Sequence, residues 1–401
     1  MKFSERTEWN MEESDLARAH RGRIVAGLPI ADLTASNPTR CGFEYPEDLL
    51  ASLADPAAFD YDPDPKGALH ARQAICRYYR DHGANIQSDR IILTASTSEA
   101  YGYLFKLLCN PGDEILVLQP SYPLFDFLAR AEAVEQVSAP LVYDHGWQLD
   151  LEGVRSRITA QTRALVLVHP NNPTGHFTRI DEARQLAALC QEHSLALIVD
   201  EVFLDYGFEG IDEGQSSFTG RELDIPVFIV SGISKICGLP QMKAAWLVAI
   251  GPGADAALER LEVLSDTYLS MNAPVQRALP IWLGERAGIQ KQIHDRVRIN
   301  LSELDRALAM QPGGEDGGGV LVNRLKVEGG WYAILRIPAL QPDEITAREL
   351  LDFGVWVHPG YFFGMSASGW LIISLLSRPE EFAAGVSRLM GYFHRNHESY
   401  F

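Results

Sequence analysis

Three short runs constrain this chain more than anything else in it. ALVLVH (164–169), LALIVD (195–200) and VFIVSG (227–232) are brief, rich in β-branched residues and apolar at nearly every position. A strand that alternates apolar and polar residues buries one face. A strand that is apolar throughout is buried on both, as inside a parallel sheet flanked by helices. Between the first two runs, DEARQLAALCQEHS (181–194) has the spacing of an amphipathic helix. Strand, helix, strand is the unit from which parallel sheets are wound. Upstream, IILTAS (91–96), STSEAYGYLFKLL (96–108) and EILVLQP (114–120) read as strand, helix and strand. The expectation is an α/β fold with a mainly parallel sheet.

The texture changes after residue 285. A helical run (289–311) leads to PGGEDGGG (312–319), then to a strand at 330–338, a helix at 343–353, and strands near 355–358 and 370–376. This predicts a large domain over 48–285 and a small α+β domain built from 1–47 and 286–401. The glycine run reads as a surface loop, because it does not join a buried strand to a helix. Acidic residues outnumber basic ones, 53 to 35, for a net charge of −18, which argues against a general nucleic-acid or anionic-membrane binder. The five cysteines are scattered with no C-x-x-C pair, as expected of reduced thiols. The first residues lack an apolar signal region, so the expected location is cytoplasmic. No His/Cys cluster, GxGxxG or phosphate-loop pattern is present, so neither a metal nor a dinucleotide is expected.

Several strand ends carry groups that an organic phosphate cofactor needs: an anion cradle, a tuner for the ring and a reactive anchor. Ser96-Thr97-Ser98-Glu99 opens a helix, whose free N–H groups can cradle an anion or simply be capped. His169-Pro170-Asn171-Asn172-Pro173-Thr174-Gly175 is a turn outside a buried strand, where open α/β sheets bind ligands. Asp200 ends its strand and needs a partner, which a protonated ring nitrogen, a helix start or an ion pair would each supply. Lys235, in Ser231-Gly232-Ile233-Ser234-Lys235, stands at a strand end among small residues, where a lysine can shed its proton and attack an aldehyde.

Taken in order, Asn-Asn-Pro-Thr-Gly, then Asp200-Glu201, then Ser-x-x-Ser-Lys235, the chain resembles the fold-type I pyridoxal 5′-phosphate enzymes and, more narrowly, the class I/II aminotransferases. The resemblance runs from Ser36-Asn37-Pro38 to the last strand. It implies a seven-stranded, mainly parallel sheet in the large domain, and ping-pong transamination between an amino donor and a keto-acid acceptor. Lys235 would form an imine with the cofactor and later carry a proton. Asp200 would pair with the ring nitrogen, Asn172 with the ring oxygen, and Tyr122 would stack on the ring. Ser96, Thr97, Ser98 and Ser234 would hold the phosphate. Tyr61 would reach the phosphate of a neighbouring subunit, which implies a homodimer.

Three positions depart from the family pattern. Phe203 stands where a tyrosine usually bonds the ring oxygen, and Tyr206, three residues on, is not placed to replace it. Lys243 stands where an arginine usually grips the phosphate, so the bidentate fork is lost. Ile372 stands where an arginine usually clamps the substrate carboxylate. Arg40 is the first candidate substitute and Arg378 the second, with Asn37 and Tyr361 at the same mouth. The loss of that arginine also keeps open a lyase or decarboxylase on the same scaffold. A regulator with an aminotransferase-like half is not expected, since the 35 residues before Ser36 are too few and too acidic for a DNA-binding part.

Overall fold

The computed structural model describes residues 1–208, 216–269, 271–311 and 321–395. The glycine run at 312–319 lies outside the described residues. Eight strands build the large sheet: β1 (Ile91–Thr94), β2 (Glu114–Gln119), β3 (Glu135–Tyr143), β4 (Trp147–Leu149), β5 (Thr162–Val168), β6 (Ala196–Asp200), β7 (Val227–Gly232) and β8 (Ala245–Ile250). Their spatial order is β1-β8-β7-β6-β5-β2-β3-β4. β8 runs antiparallel to both neighbours, β4 folds back on β3, and the other pairings are parallel. The expected seven strands are present, and the three-residue β4 adds an eighth at one edge.

Burial explains why the apolar runs become central strands. Leu165, Leu167, Leu197, Val199 and Ile229 pack on one side of the sheet. Ala164, Val166, Val168, Ile198, Phe228 and Val230 pack on the other. Each fully buried side chain of this size contributes about 1.5–3 kcal/mol relative to exposure. A polar residue in either register would have to be buried without a partner.

A second antiparallel sheet contains Asn323–Arg324, Tyr332–Arg336, Trp370–Ser374 and His358–Pro359, in that order. Ala31–Asp32 pairs in parallel with Val355–Trp356, which ties the N-terminal segment to the C-terminal part. The helix expected at 289–311 is longer, spanning Ala273–Ala309 without a break through 285 and 286, where the sequence reading divides the domains. Its start lies in Asn272-Ala273-Pro274: the Asn272 side chain caps Val275 N–H at 3.0 Å, and a proline in the first turn lacks only an N–H that has no helical partner. No helix among the described residues is long and apolar enough to cross a membrane.

Candidate active site

Val168, Asp200 and Val230 sit side by side at the C-terminal ends of β5, β6 and β7. The segments that follow them therefore leave the sheet together, at the edge where open α/β sheets bind ligands. Asp200 is only 6% exposed. Its Oδ2 accepts from the Tyr101 hydroxyl at 3.1 Å and its Oδ1 from Val202 N–H at 3.0 Å. Burial raises this carboxyl to about 6, against those two hydrogen bonds and the charge of Lys235.

Lys235 lies on the helical turn Ile233–Ile236. Its Nζ is 5.6 Å from the Trp331 ring centre and 5.8 Å from that of Phe203. Burial lowers the ammonium below the usual lysine range, opposed by the charge of Asp200. Facing aromatic rings offset part of the lost hydration of the cation. The turn is held from behind, because the Tyr206 hydroxyl donates to the Lys235 carbonyl at 2.7 Å. Tyr206 thus fixes the lysine backbone.

Thr94 and Gly232 both register with Ala245 of β8. This brings the helix start at Ser96, the turn at Ser234 and the exposed Lys243 to one corner. Gly232 has no room for a side chain, since a Cβ there would lie 2.8 Å from that of Ala245. The Ser96 oxygen accepts from Glu99 N–H at 3.1 Å, and Glu99 Oε2 accepts from Ala95 N–H at 2.7 Å. A hydroxyl that accepts one bond keeps its own proton to donate. The first-turn N–H groups of Thr97–Leu108 add an anion site.

Asn172 is buried, and its Oδ1 has no hydrogen-bond partner among the described residues. Such a group costs about 1–3 kcal/mol unless something meets it. Its neighbour Asn171 closes the turn instead, accepting from the Thr174 hydroxyl at 2.9 Å. The turn is clamped by the segment leading to Trp331. A Cβ on Gly175 would lie 2.4 Å from the Gly329 carbonyl oxygen. His176 bonds Glu182 at 3.1 Å, and Arg179 pairs with Glu328 at 2.5 Å. Burial alone would raise the Glu328 carboxyl; the His176 hydrogen bond and the Arg179 charge overcome it and hold it at about 2. Glu328→Gln is therefore expected to lower stability by about 3 kcal/mol at neutral pH. Because the folded-state value is depressed, the parent's advantage is present above about 4.5 and fades as pH falls toward about 2. Urea titrations of both proteins across that window check this.

The substrate-side residues are more dispersed. Tyr122 is exposed, and its loop is pinned by Ser121 N–H donating to the Phe363 carbonyl at 2.9 Å. Ile372 is 0% exposed and packed in the core. Asn37 uses its side-chain oxygen to cap its own turn, accepting from Thr39 N–H at 3.1 Å. Arg40 and Tyr361 are exposed. The Arg378 guanidinium lies against Gly42, whose added Cβ would be 2.8 Å from Nε. No hydrogen bond or ion pair among the described residues joins Arg40 or Arg378 to the groups around Lys235. Tyr61 is 82% exposed. Tyr101 and Trp331 were not singled out from sequence. Tyr101 had a signal, one turn inside the helix that opens at Ser96; Trp331 is brought in by long-range packing.

Residues 51–389 match the family described as aminotransferase class I and II. The alanine aminotransferase of Mycobacterium tuberculosis is 29% identical over 388 residues, covering 92% of this chain and 87% of that protein. The glutamate-pyruvate aminotransferase of Escherichia coli is 29% identical over 272 residues, covering 67% of this chain and 66% of that one. In three dimensions, an alanine aminotransferase from Pyrococcus furiosus matches with a TM-score of 0.87 at 23% identity, over 98% of this chain and 100% of that one, a likeness of fold.

Proposed function

The chain belongs to the class I and II aminotransferases, a pyridoxal phosphate-dependent family, and from that premise we propose that it moves an amino group between an α-amino acid and a short 2-oxo acid by means of Lys235. The names of two relatives, for alanine and for glutamate and pyruvate, support a small 2-oxo acid as one partner. Nothing in these matches supports the elimination or decarboxylation alternative.

The residues present fit the cofactor. A buried amide oxygen on Asn172 lacks a partner, a buried carboxylate faces the lysine, and a helix start opens beside them. When bound, the cofactor supplies an aldehyde for amines and a ring that withdraws electrons. Lys235 Nζ, held in a dry aromatic niche, favours the neutral amine that can attack and can then carry the donor's Cα proton. Asp200 keeps the ring nitrogen protonated, and Asn172 meets the ring oxygen. Ser96, Thr97, Ser98, Ser234 and Lys243 hold the phosphate. Tyr122 covers the ring and helps exclude water. Arg40, Asn37 and Tyr361 line the mouth in this reading, above an apolar floor at Ile372.

A homodimer completes the site in this reading, with Tyr61 reaching the neighbouring subunit's phosphate corner. Phe59, Tyr61 and Leu269 are large, apolar and exposed, which supports a covered surface there. All five cysteines are unpaired, which supports a reducing, cytoplasmic setting.

The observation that carries this reading is the buried Lys235 amine beside the buried Asp200 carboxylate. The test loads purified protein with pyridoxal phosphate and adds a panel of α-amino acids without acceptor. Stoichiometric conversion of the visible spectrum to that of the amine form, reversed by pyruvate, is expected. Continuous release of ammonia or carbon dioxide without that conversion would overturn it.

A further inference from the structure

We propose that His358 binds the carboxylate of the amino donor, in the place that Ile372 leaves without a cation. The inference rests on the aminotransferase reading and names the group that selects its substrate.

His358 stands opposite Ile372 in the small sheet, and Ile372 stands opposite Ile334. Directly opposed residues of antiparallel strands point to the same face, with Cβ atoms about 4.5–5.5 Å apart. Ile334 and Ile372 pack in the cluster that includes Ile233 and Ile236, which flank Lys235. Leu335, Leu371 and Ile373 pack in the cluster on the opposite face. The imidazole therefore shares the face of Ile334 and Ile372 and stands beside the position of the missing arginine, while Trp331, which meets the lysine, packs in the other cluster.

Its surroundings hold it there. Phe363 and Phe362 lie 5.6 and 5.9 Å from the ring, and Phe363 also packs on Tyr332 at 5.9 Å. The Phe363 carbonyl is the one that pins the loop of Tyr122. His358 Nδ1 is buried with no hydrogen-bond partner among the described residues. A buried donor or acceptor left alone in an aromatic niche is unfavourable until a polar group arrives. Burial also pushes the imidazole down to about 4, opposed by the charge of Asp32, so the ring waits neutral. A neutral imidazole can donate one N–H to a carboxylate without the desolvation that a buried guanidinium demands. Arg40, by contrast, is exposed, and its charge is screened by water and salt.

The test uses the dimeric or monomeric holoenzyme as purified, the best α-amino acid donor of the panel, and the amide of that amino acid, which lacks the carboxylate. His358→Phe is expected to raise KM for the acid about 10- to 100-fold, with kcat and the values for the amide changed about threefold or less. His358→Gln keeps an N–H donor and is expected to stay close to the parent. Ile372→Arg placed on His358→Phe is expected to restore the acid's KM. Unchanged KM in His358→Phe overturns the assignment. So does equal weakening of acid and amide, which marks a packing role only. If the parent enzyme converts no donor at all, the aminotransferase reading itself fails, and that result is separate from any effect of the variants.

Discussion

Lys235→Ala is expected to lower kcat for transamination by about 10³-fold or more while leaving the protein folded. The amine sits between the Phe203 and Trp331 rings, where it is desolvated and below its usual proton affinity. Removing it deletes both the anchor for the cofactor aldehyde and the base for the Cα proton. It also removes the cation beside Asp200, whose buried carboxylate is then met by Tyr101 and Val202 alone, so a modest loss of stability in the cofactor-free protein is expected. Lys235→Arg separates the two possible reasons for inactivity. Arginine keeps a cation near Asp200 but cannot lose its proton in a protein. If charge alone mattered, this variant would work; the expectation is that it is as inactive as the alanine form. A small primary amine added to Lys235→Ala should restore part of the proton transfer, because the niche then has space for it. Stopped-flow spectra of the first half-reaction measure all three. A Lys235→Ala enzyme within tenfold of the parent would remove the lysine from the chemistry.

What could be read from sequence divides along physical lines. β5, β6 and β7 were legible because a strand buried on both faces has to be apolar throughout, and the residues that follow such strands share one sheet edge. Ser96 was legible as a cap because its partner Glu99, which in turn accepts from Ala95 N–H, is local in sequence. The true start of the helix Ala273–Ala309 was missed, although Asn272 and Pro274 mark it and Val275, Ala278, Leu279, Trp282 and Leu283 keep helical spacing, because Pro280, Gly284 and Gly288 are poor helix formers that mask the pattern. β4 was missed because three residues on an edge carry almost no pattern. The partners that shape the site were out of reach for a different reason. Trp331 meets Lys235 through the clamp that locks Gly175 against Gly329. His358 meets Ile372 only through the register of two short strands. Neither contact has a sequence period to announce it. Tyr206 shows the same limit: its position suggested a failed ring contact, and packing gave its hydroxyl the Lys235 carbonyl instead.

Asp200→Asn should separate stability from activity. In the cofactor-free protein the carboxyl is held at about 6, above the 3.8 of a free aspartate. A folded-state value raised in this way means that the folded chain binds the proton more tightly than the unfolded one. The associated stability is fully present below about 4 and is lost as pH rises through about 6. At neutral pH the ionised, buried carboxylate thus destabilises the cofactor-free fold by about 3 kcal/mol, taking roughly 1.4 kcal/mol per unit. Asparagine has the same shape, carries no charge and can still accept from Val202 N–H. It should therefore stabilise that form at pH 7.5 by up to about 3 kcal/mol, and by about half as much at pH 5. Activity should move the other way, by about 10²–10³-fold, since a neutral amide cannot keep a ring nitrogen protonated as the electron demand of the reaction requires. Loading the cofactor should also reverse the stability order, because the positive ring then supplies the partner that the carboxylate lacks. Denaturant titrations at the two pH values, with and without pyridoxal phosphate, read both signs. A variant less stable than the parent when free of cofactor would mean that Asp200 is already satisfied by Tyr101, Val202 and Lys235, and that its burial serves the fold rather than the ring.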